Sequence, residues 1–236
     1  MTERREPGKI SASMMCADLS CLQNTIEIFS ATGVDLLHID VMDGVFTPNF
    51  GLGTDYISDL RKMTSIPLDL HLMIDNPEEK LSWLGLMQSD QVSIHYESTS
   101  DLQRAIDRAK ERVSKVFLAI NPATPILVVE PVLDSIDGVS VLTVNPGFAG
   151  QKIVKSCIKK TKKLREFLME AGYPNMPIEV DGNISFENAH VLRDCGADIF
   201  VAGTSSIFNL EDMQEAIKKL RLVVSDHVCY DATDCR

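Results

Sequence analysis

The chain has 236 residues, 44% of them hydrophobic, and a formal net charge of -11. That length suits one α/β barrel, and the acidic excess excludes nucleic acid or an anionic membrane as the main partner while leaving phosphate open to backbone amides. Residues 1–8 lack the apolar core of a signal peptide, no run approaches the roughly 18 apolar residues of a membrane span, and six cysteines without a Cys-x-x-Cys pair read as reduced thiols of a cytoplasmic protein. Nothing in the sequence supports a bridge between Cys229 and Cys235.

Apolar strand-like runs alternate with amphipathic helical stretches eight times. The strands are expected at 9–14, 36–42, 68–73, 91–95, 116–120, 140–144, 178–181 and 199–202. The helical patterns fall near 19–32, 54–63, 77–87, 100–112, 125–135, 151–171, 186–194 and 211–224. Asn76-Pro77 and Thr124-Pro125 each place a capping residue before a proline at a first helical position, and Ser185 is a third cap candidate. Gly33, Gly172 and Gly196 stand where helices should stop. Eight βα repeats without a linker predict one closed (β/α)8 TIM barrel spanning 1–236, with its core at about 9–224 and a polar, peripheral tail from 225 to 236. An open doubly wound sheet is the alternative.

The second strand is apolar on one face, through Leu37, Ile39 and Val41, and carries His38, Asp40 and Met42 on the other. The third repeats the pattern with Asp69, His71 and Met73 against Leu68, Leu70 and Leu72; in the seventh, Glu179 and Asp181 alternate with Ile178 and Val180. Burying an imidazole beside a carboxylate is costly unless they bind each other, a cation or a reacting molecule. Barrel chemistry collects at the C-terminal ends of the strands, so two histidines and two aspartates are expected to converge on the mouth. Any one of these histidines alone reads as a hydrogen-bonded core residue. The set together reads as a site for one divalent metal ion (Zn, Mn, Fe or Co), since no thiolate narrows the choice.

A cation with paired carboxylates suits proton abstraction beside a carbonyl: one acid removes the proton from one face of the planar intermediate, and the other returns one to the opposite face. Each acid must serve as base in one direction, which calls for a pKa perturbed towards neutrality. Met42 and Met73 then wall off water, or simply fill core. Glycine-bearing loops follow strands six (residues 145–150), seven (181–183) and eight (202–206) and predict a phosphate site. Gly51 and Gly53 read as ordinary turn glycines. The expected ligand is a sugar phosphate.

These residues together resemble the ribulose-phosphate 3-epimerase family, over about residues 9 to 224. The motifs are His38-Ile-Asp-Val-Met-Asp-Gly-Val-Phe-Thr-Pro-Asn49, His71-Leu-Met73, Val144-Asn-Pro-Gly-Phe-Ala-Gly-Gln151 and Glu179-Val-Asp-Gly182. The resemblance implies a divalent metal held by His38, Asp40, His71 and Asp181, with Asp40 and Asp181 as the acid/base pair. It implies Ser13 against the sugar; Gly147, Phe148, Ala149, Gly150, Gly182, Asn183, Gly203 and Thr204 around the phosphate; and a homo-oligomer. Departures are Ser11-Ala12-Ser13 for Ser-Pro-Ser, Asn183 for the second glycine of Asp-Gly-Gly, Leu142 for a third methionine, and Thr204 for serine. Met15-Cys16-Ala17-Asp18-Leu19, Asn183 and Gly203-Thr-Ser-Ser-Ile-Phe-Asn209 resemble the allulose-6-phosphate 3-epimerase branch instead. Leu142 matches neither branch.

The expected function is therefore 3-epimerisation of a ketose phosphate, leaning to D-allulose 6-phosphate and D-fructose 6-phosphate over D-ribulose 5-phosphate and D-xylulose 5-phosphate. Two other classes compete. A barrel sugar-phosphate decarboxylase needs a lysine where Met42 stands, and a non-catalytic sugar-phosphate binder needs no paired carboxylates. His95 is expected to make a local hydrogen bond, with a place near the mouth after the fourth strand as the alternative, His190 and His227 to lie on a helix surface and in the tail, and residues 43–49 to begin a mobile loop over the sugar.

Overall fold

The computed structural model describes residues 6–208 and 212–225. Eight parallel strands close in chain order into one barrel: β1 (Lys9–Ser13), β2 (Leu36–Met42), β3 (Leu68–Met73), β4 (Gln91–His95), β5 (Lys115–Ile120), β6 (Gly138–Leu142), β7 (Ile178–Asp181) and β8 (Ile199–Ala202). Strand β8 pairs back onto β1, so the sheet has no edge. The expected TIM barrel is the fold, and the open sheet is excluded. Of the expected tail at 225–236, Ser225 ends the last helix, while 226–236, with His227, Cys229 and Cys235, and Asn209 of the last motif lie outside the described residues.

Helices α1 (Leu22–Thr32), α2 (Thr54–Met63), α3 (Leu102–Lys110), α4 (Ser156–Glu170), α5 (Phe186–Asp194) and α6 (Met213–Ser225) wrap the outside. Each turns a stripe at helical spacing onto the sheet, such as Ile26 and Phe29 of α1, Ile57 and Leu60 of α2, or Ile217 and Leu220 of α6, all buried. They meet the outward row of each strand, of which Leu37, Ile39, Leu70 and Leu72 are fully buried. Ser185 caps α5 as expected, accepting from Asn188 N at 3.1 Å. Gly33 ends α1 in the left-handed region at φ 70°.

Several expected elements differ. The helix at 77–87 is two short 3-10 turns, Pro77–Glu79 and Leu81–Trp83. Asn76 makes no side-chain cap there and takes φ 46°. A 3-10 helix, Ile126–Ser135, replaces the one at 125–135; Pro131 inside it has no amide to donate and blocks a regular ladder. Thr124 spends its hydroxyl on the Glu97 carboxylate and caps nothing. Strand β6 begins two residues earlier than expected, because Gly138 is the close-packed site where the Phe117 ring crosses and not a turn.

Residues 43–50 are anchored at several points. Asp43 accepts from Val45 N (2.9 Å), Phe46 N (3.0 Å) and Asp75 N (2.9 Å), and Asn49 Nδ2 donates to the Gly147 carbonyl at 2.7 Å. Gly51 is no ordinary turn glycine: its amide and that of Leu52 bond back to Met42 O and Asp40 O. A Cβ there would collide with Asp40 O and stand 2.8 Å from Met42 N. Gly53, by contrast, faces open space. Replacing Gly51 with alanine should force the loop off β2 at a cost of about 1–3 kcal/mol, read as a lower urea midpoint. An unchanged midpoint would show that the loop does not need that close approach.

Candidate active site

The period-two alternation turns one row of each strand into the lumen, and register sets the level at which these rows meet. Asp40 stands beside His71 and Met42 beside Met73 across β2 and β3, while Leu142 stands beside Asp181 across β6 and β7. His38, Asp40 and His71 are buried, and Asp181 closes the group from β7. His38 Nε2 lies 3.4 Å from Asp40 Oδ1 and 3.8 Å from Asp181 Oδ2; His71 Nδ1 lies 3.2 Å and 3.4 Å from the same two oxygens.

One ligand atom from each of these four residues falls within 4.8 Å of all the others. His38 Nε2 is buried, aimed into the group and without a hydrogen-bond partner, a position that a cation would satisfy by displacing the ring proton. Two imidazoles and two carboxylates are a borderline donor set for a divalent metal. The residues fit such an ion.

Beneath this group lies a second polar layer. Asp69 Oδ2 accepts from Ser11 Oγ (2.8 Å) and meets His38 Nδ1 at 2.7 Å. Gln91 Nε2 donates to Asp69 Oδ1 and to Glu179 Oε2, both at 2.9 Å. Strands β4 and β7 are not neighbours, so the last bond crosses the lumen. A third set flanks the mouth: His71 Nε2 is 2.8 Å from His95 Nε2, and His95 Nδ1 is 3.1 Å from Glu97 Oε2.

Charge follows these contacts. Burial disfavours a charged His38, but the Asp69 and Asp40 charges outweigh it and hold its pKa well above the ordinary value. Burial likewise works against His71, and hydrogen bonds to Asp181 and Asp40 push it up to about 9. Burial also opposes ionisation of Asp40, yet His38 and His71 hold its carboxyl far below the usual range. The expected drift towards neutrality is therefore reversed at Asp40, because two imidazoles flank it. Burial pushes His95 down to about 4, against its bond to Glu97, so its ring is neutral. Burial and the Asp69 charge together hold Glu179 well above the carboxylate range.

A cavity open to solvent lies above the cluster, lined by Ser13, Asp40, Met42, Met73, Leu142 and Asp181. Gly147, Phe148, Ala149, Gly150, Gly182, Asn183, Gly203 and Thr204 line it too, so the three glycine loops border one space. His38 and His71 sit below its floor. Gly182 takes φ 116°, and a Cβ there would reach Val144 at 2.6 Å. Asn183 accepts the left-handed region at φ 52°, its amide donating to Ser205 Oγ (3.0 Å) and its Oδ1 accepting from Asn188 Nδ2 (3.1 Å). Ser13 Oγ points at Asp40 Oδ2, 3.5 Å away.

Sequence reasoning left Ser11, Gln91 and Glu97 without a role and favoured a local bond for His95 over a place near the mouth. The available signal was the same alternation: Gln91 and His95 share the inward parity of β4, and Glu179 that of β7.

A model of the ribulose-phosphate 3-epimerase family matches residues 9–208. Ribulose-phosphate 3-epimerase of Bacillus subtilis is 38% identical over 213 residues, covering 90% of this chain and 98% of the relative. The chloroplastic ribulose-5-phosphate-3-epimerase of Arabidopsis thaliana is 39% identical over 214 residues, covering 90% and 75%. Among solved structures, 3-hexulose-6-phosphate synthase from Salmonella typhimurium superposes with a TM-score of 0.64 at 17% identity, covering 92% and 98%. Orotidine 5'-phosphate decarboxylase from Pyrococcus horikoshii gives 0.61 at 15%, covering 92% and 100%. At these identities the superpositions speak for the fold alone.

Glu179→Gln tests the charge assignment of the lower layer. A glutamine can accept from Gln91 and donate to Asp69, as a protonated Glu179 would, so stability at pH 7 should change by less than about 1 kcal/mol. Urea unfolding measures it. A large loss would mean that Glu179 is ionised there.

Proposed function

Since the chain belongs to the ribulose-phosphate 3-epimerase family, we propose that it inverts C3 of a ketose phosphate, with Asp40 and Asp181 as the two proton carriers. The observation that carries this reading is that both carboxylates meet one imidazole nitrogen, His71 Nδ1, at 3.2 and 3.4 Å, on the floor of the cavity. They arrive from β2 and β7, strands separated by β1 and β8, so a sugar entering the mouth lies between them.

A divalent cation held by His38 Nε2, Asp40, His71 Nδ1 and Asp181 would, when bound, draw electron density from the C2 carbonyl and its neighbouring hydroxyl and so acidify the C3 proton. The protein's own groups do the rest. Asp40 takes the proton from one face of C3 and Asp181 delivers one to the other, with the roles exchanged in reverse. Met42, Met73 and Leu142 present apolar walls that keep water from the planar enediolate. Ser13 orients Asp40 and meets the sugar. The phosphate is held by the loops at 147–150, 182–183 and 203–204, whose glycines let backbone amides approach it.

Two substrates divide the finer reading. The relatives are named for ribulose phosphate, which favours the five-carbon ketose. The loops favour D-allulose 6-phosphate, the substrate proposed here: one more carbon moves the phosphate outward, and the β7 and β8 loops that must accommodate it are the ones that Asn183 ties to Ser205. A single-barrel unit, a homo-oligomeric assembly and a cytoplasmic location complete the proposal. Among the described residues no helix is long and apolar enough to cross a membrane.

Asp40→Asn and Asp181→Asn should each keep the circular-dichroism spectrum while lowering kcat by about 10²- to 10⁴-fold. Near-normal turnover in both would sink the acid/base assignment. Solvent deuterium should appear at C3 of the ketose during turnover; a binder would leave C3 unlabelled, and a decarboxylase would release carbon dioxide. Side-by-side kcat/KM values should favour allulose 6-phosphate over ribulose 5-phosphate, and the opposite order would return the enzyme to the pentulose.

A further inference from the structure

His71 presents Nδ1, not Nε2, to Asp40 and Asp181. For that nitrogen to offer a lone pair, the ring must carry its proton on Nε2. Among the described residues Nε2 meets His95 Nε2, at 2.8 Å, so His95 must accept there and hold its own proton on Nδ1. That proton then meets Glu97 Oε2 at 3.1 Å. The other carboxylate oxygen, Oε1, accepts from the Asn121 amide at 3.1 Å and from the Thr124 hydroxyl. A backbone N–H has no second tautomer, so the Asn121 amide fixes Oε1 as an acceptor; against burial, the bonds from His95, Thr124 and Asn121 hold the carboxyl down to about 2, so Oε2 carries no proton either and the proton positions along the chain follow. His38 is held the opposite way, with Nδ1 on Asp69 and Nε2 towards the cluster.

We propose that Glu97 and His95 are positioning residues: through a one-way chain of hydrogen bonds, Glu97 to His95 to His71, they fix the tautomer that leaves His71 Nδ1 free to ligate the metal. The inference rests on the reading of the four-residue cluster as a metal site. A carboxylate commonly orients a metal-binding imidazole directly; here a second imidazole stands between them. The relay is well seated. His95 is fully buried, the Phe46 ring packs on it with centroids 4.8 Å apart, and the Asn121 carbonyl accepts from Lys160 Nζ at 2.6 Å.

The chain predicts an inverted order of damage. In Glu97→Gln the amide oxygen must stay on the Asn121 N–H, which turns the side-chain NH2 towards His95 Nδ1. His95 must then donate from Nε2, His71 must accept at Nε2, and its proton moves to the nitrogen that faces the metal. Glu97→Ala removes the acceptor but imposes no wrong tautomer. A merely structural Glu97 would rank the other way, because alanine strands the Asn121 amide and the Thr124 hydroxyl while glutamine nearly preserves the packing.

Zn2+ and Co2+ affinities of the full-length wild type and both variants, measured by competition with a chromophoric chelator, decide the matter. Glu97→Gln should bind about 10- to 100-fold more weakly than wild type and more weakly than Glu97→Ala, with a melting temperature above that of Glu97→Ala. Glutamine binding as tightly as wild type would overturn the relay while leaving the metal site standing, and this comparison decides even if the alanine variant does not fold. Alanine binding more weakly than glutamine would also overturn it. A wild type that retains neither ion would overturn the metal reading itself and the relay with it.

Discussion

A buried charge in the lumen of a barrel has no water to turn to, and the 2.7 Å contact between Asp69 and His38 is where this constraint is met. Both side chains are fully buried. The carboxylate can be kept there because Ser11 and Gln91 donate to it as well as His38. With Nδ1 so engaged, His38 can only present Nε2 upward, and the upper cluster inherits its geometry from that orientation. Removing one partner would leave an uncompensated ion, which is far more costly than the pair is stabilising. The lower polar layer therefore supports the cluster even though none of its members reaches the cavity.

The mouth is built on a different principle. Its far wall consists of loops whose backbone must come close to a ligand or to a neighbouring strand. Gly182 packs against Val144 where no Cβ fits, and Thr143 clamps the end of β7: its amide donates to the Asp181 carbonyl at 2.7 Å, and its one hydroxyl proton is shared between that carbonyl, at 2.9 Å, and the Gly182 carbonyl. On the near wall Asn49 reaches across to the Gly147 carbonyl. The loop after β2 is thereby linked to the loop after β6, and the two sides of the cavity are held in fixed relation. In the proposed reading substrate length is sensed on these loops, whereas the strands carry the acid/base pair.

Much of this was legible without coordinates. Strand alternation placed His38, Asp40 and Met42 on one face, and the same rule applied to β3 and β7 collected His71, Met73 and Asp181. Eight repeats then implied a closed barrel, which brings those faces together. Other features depended on distant pieces of chain. Glu97 is drawn to residues 121 and 124, and this takes Thr124 away from the cap it was expected to form. Gly51 looked like a turn glycine because its constraint comes from the backbone of Asp40, eleven positions earlier.

By itself the sequence determined the strand rows, the residues that line the lumen and the class of chemistry they can perform, because these depend on a two-residue period and on side-chain type. Only the tertiary structure decided which nitrogen of each histidine faces the cluster, that Gln91 spans the lumen to Glu179, and that His95 leans on His71. Those outcomes depend on the register and curvature of strands far apart in the chain, and on a proton that each ring must place on one side or the other.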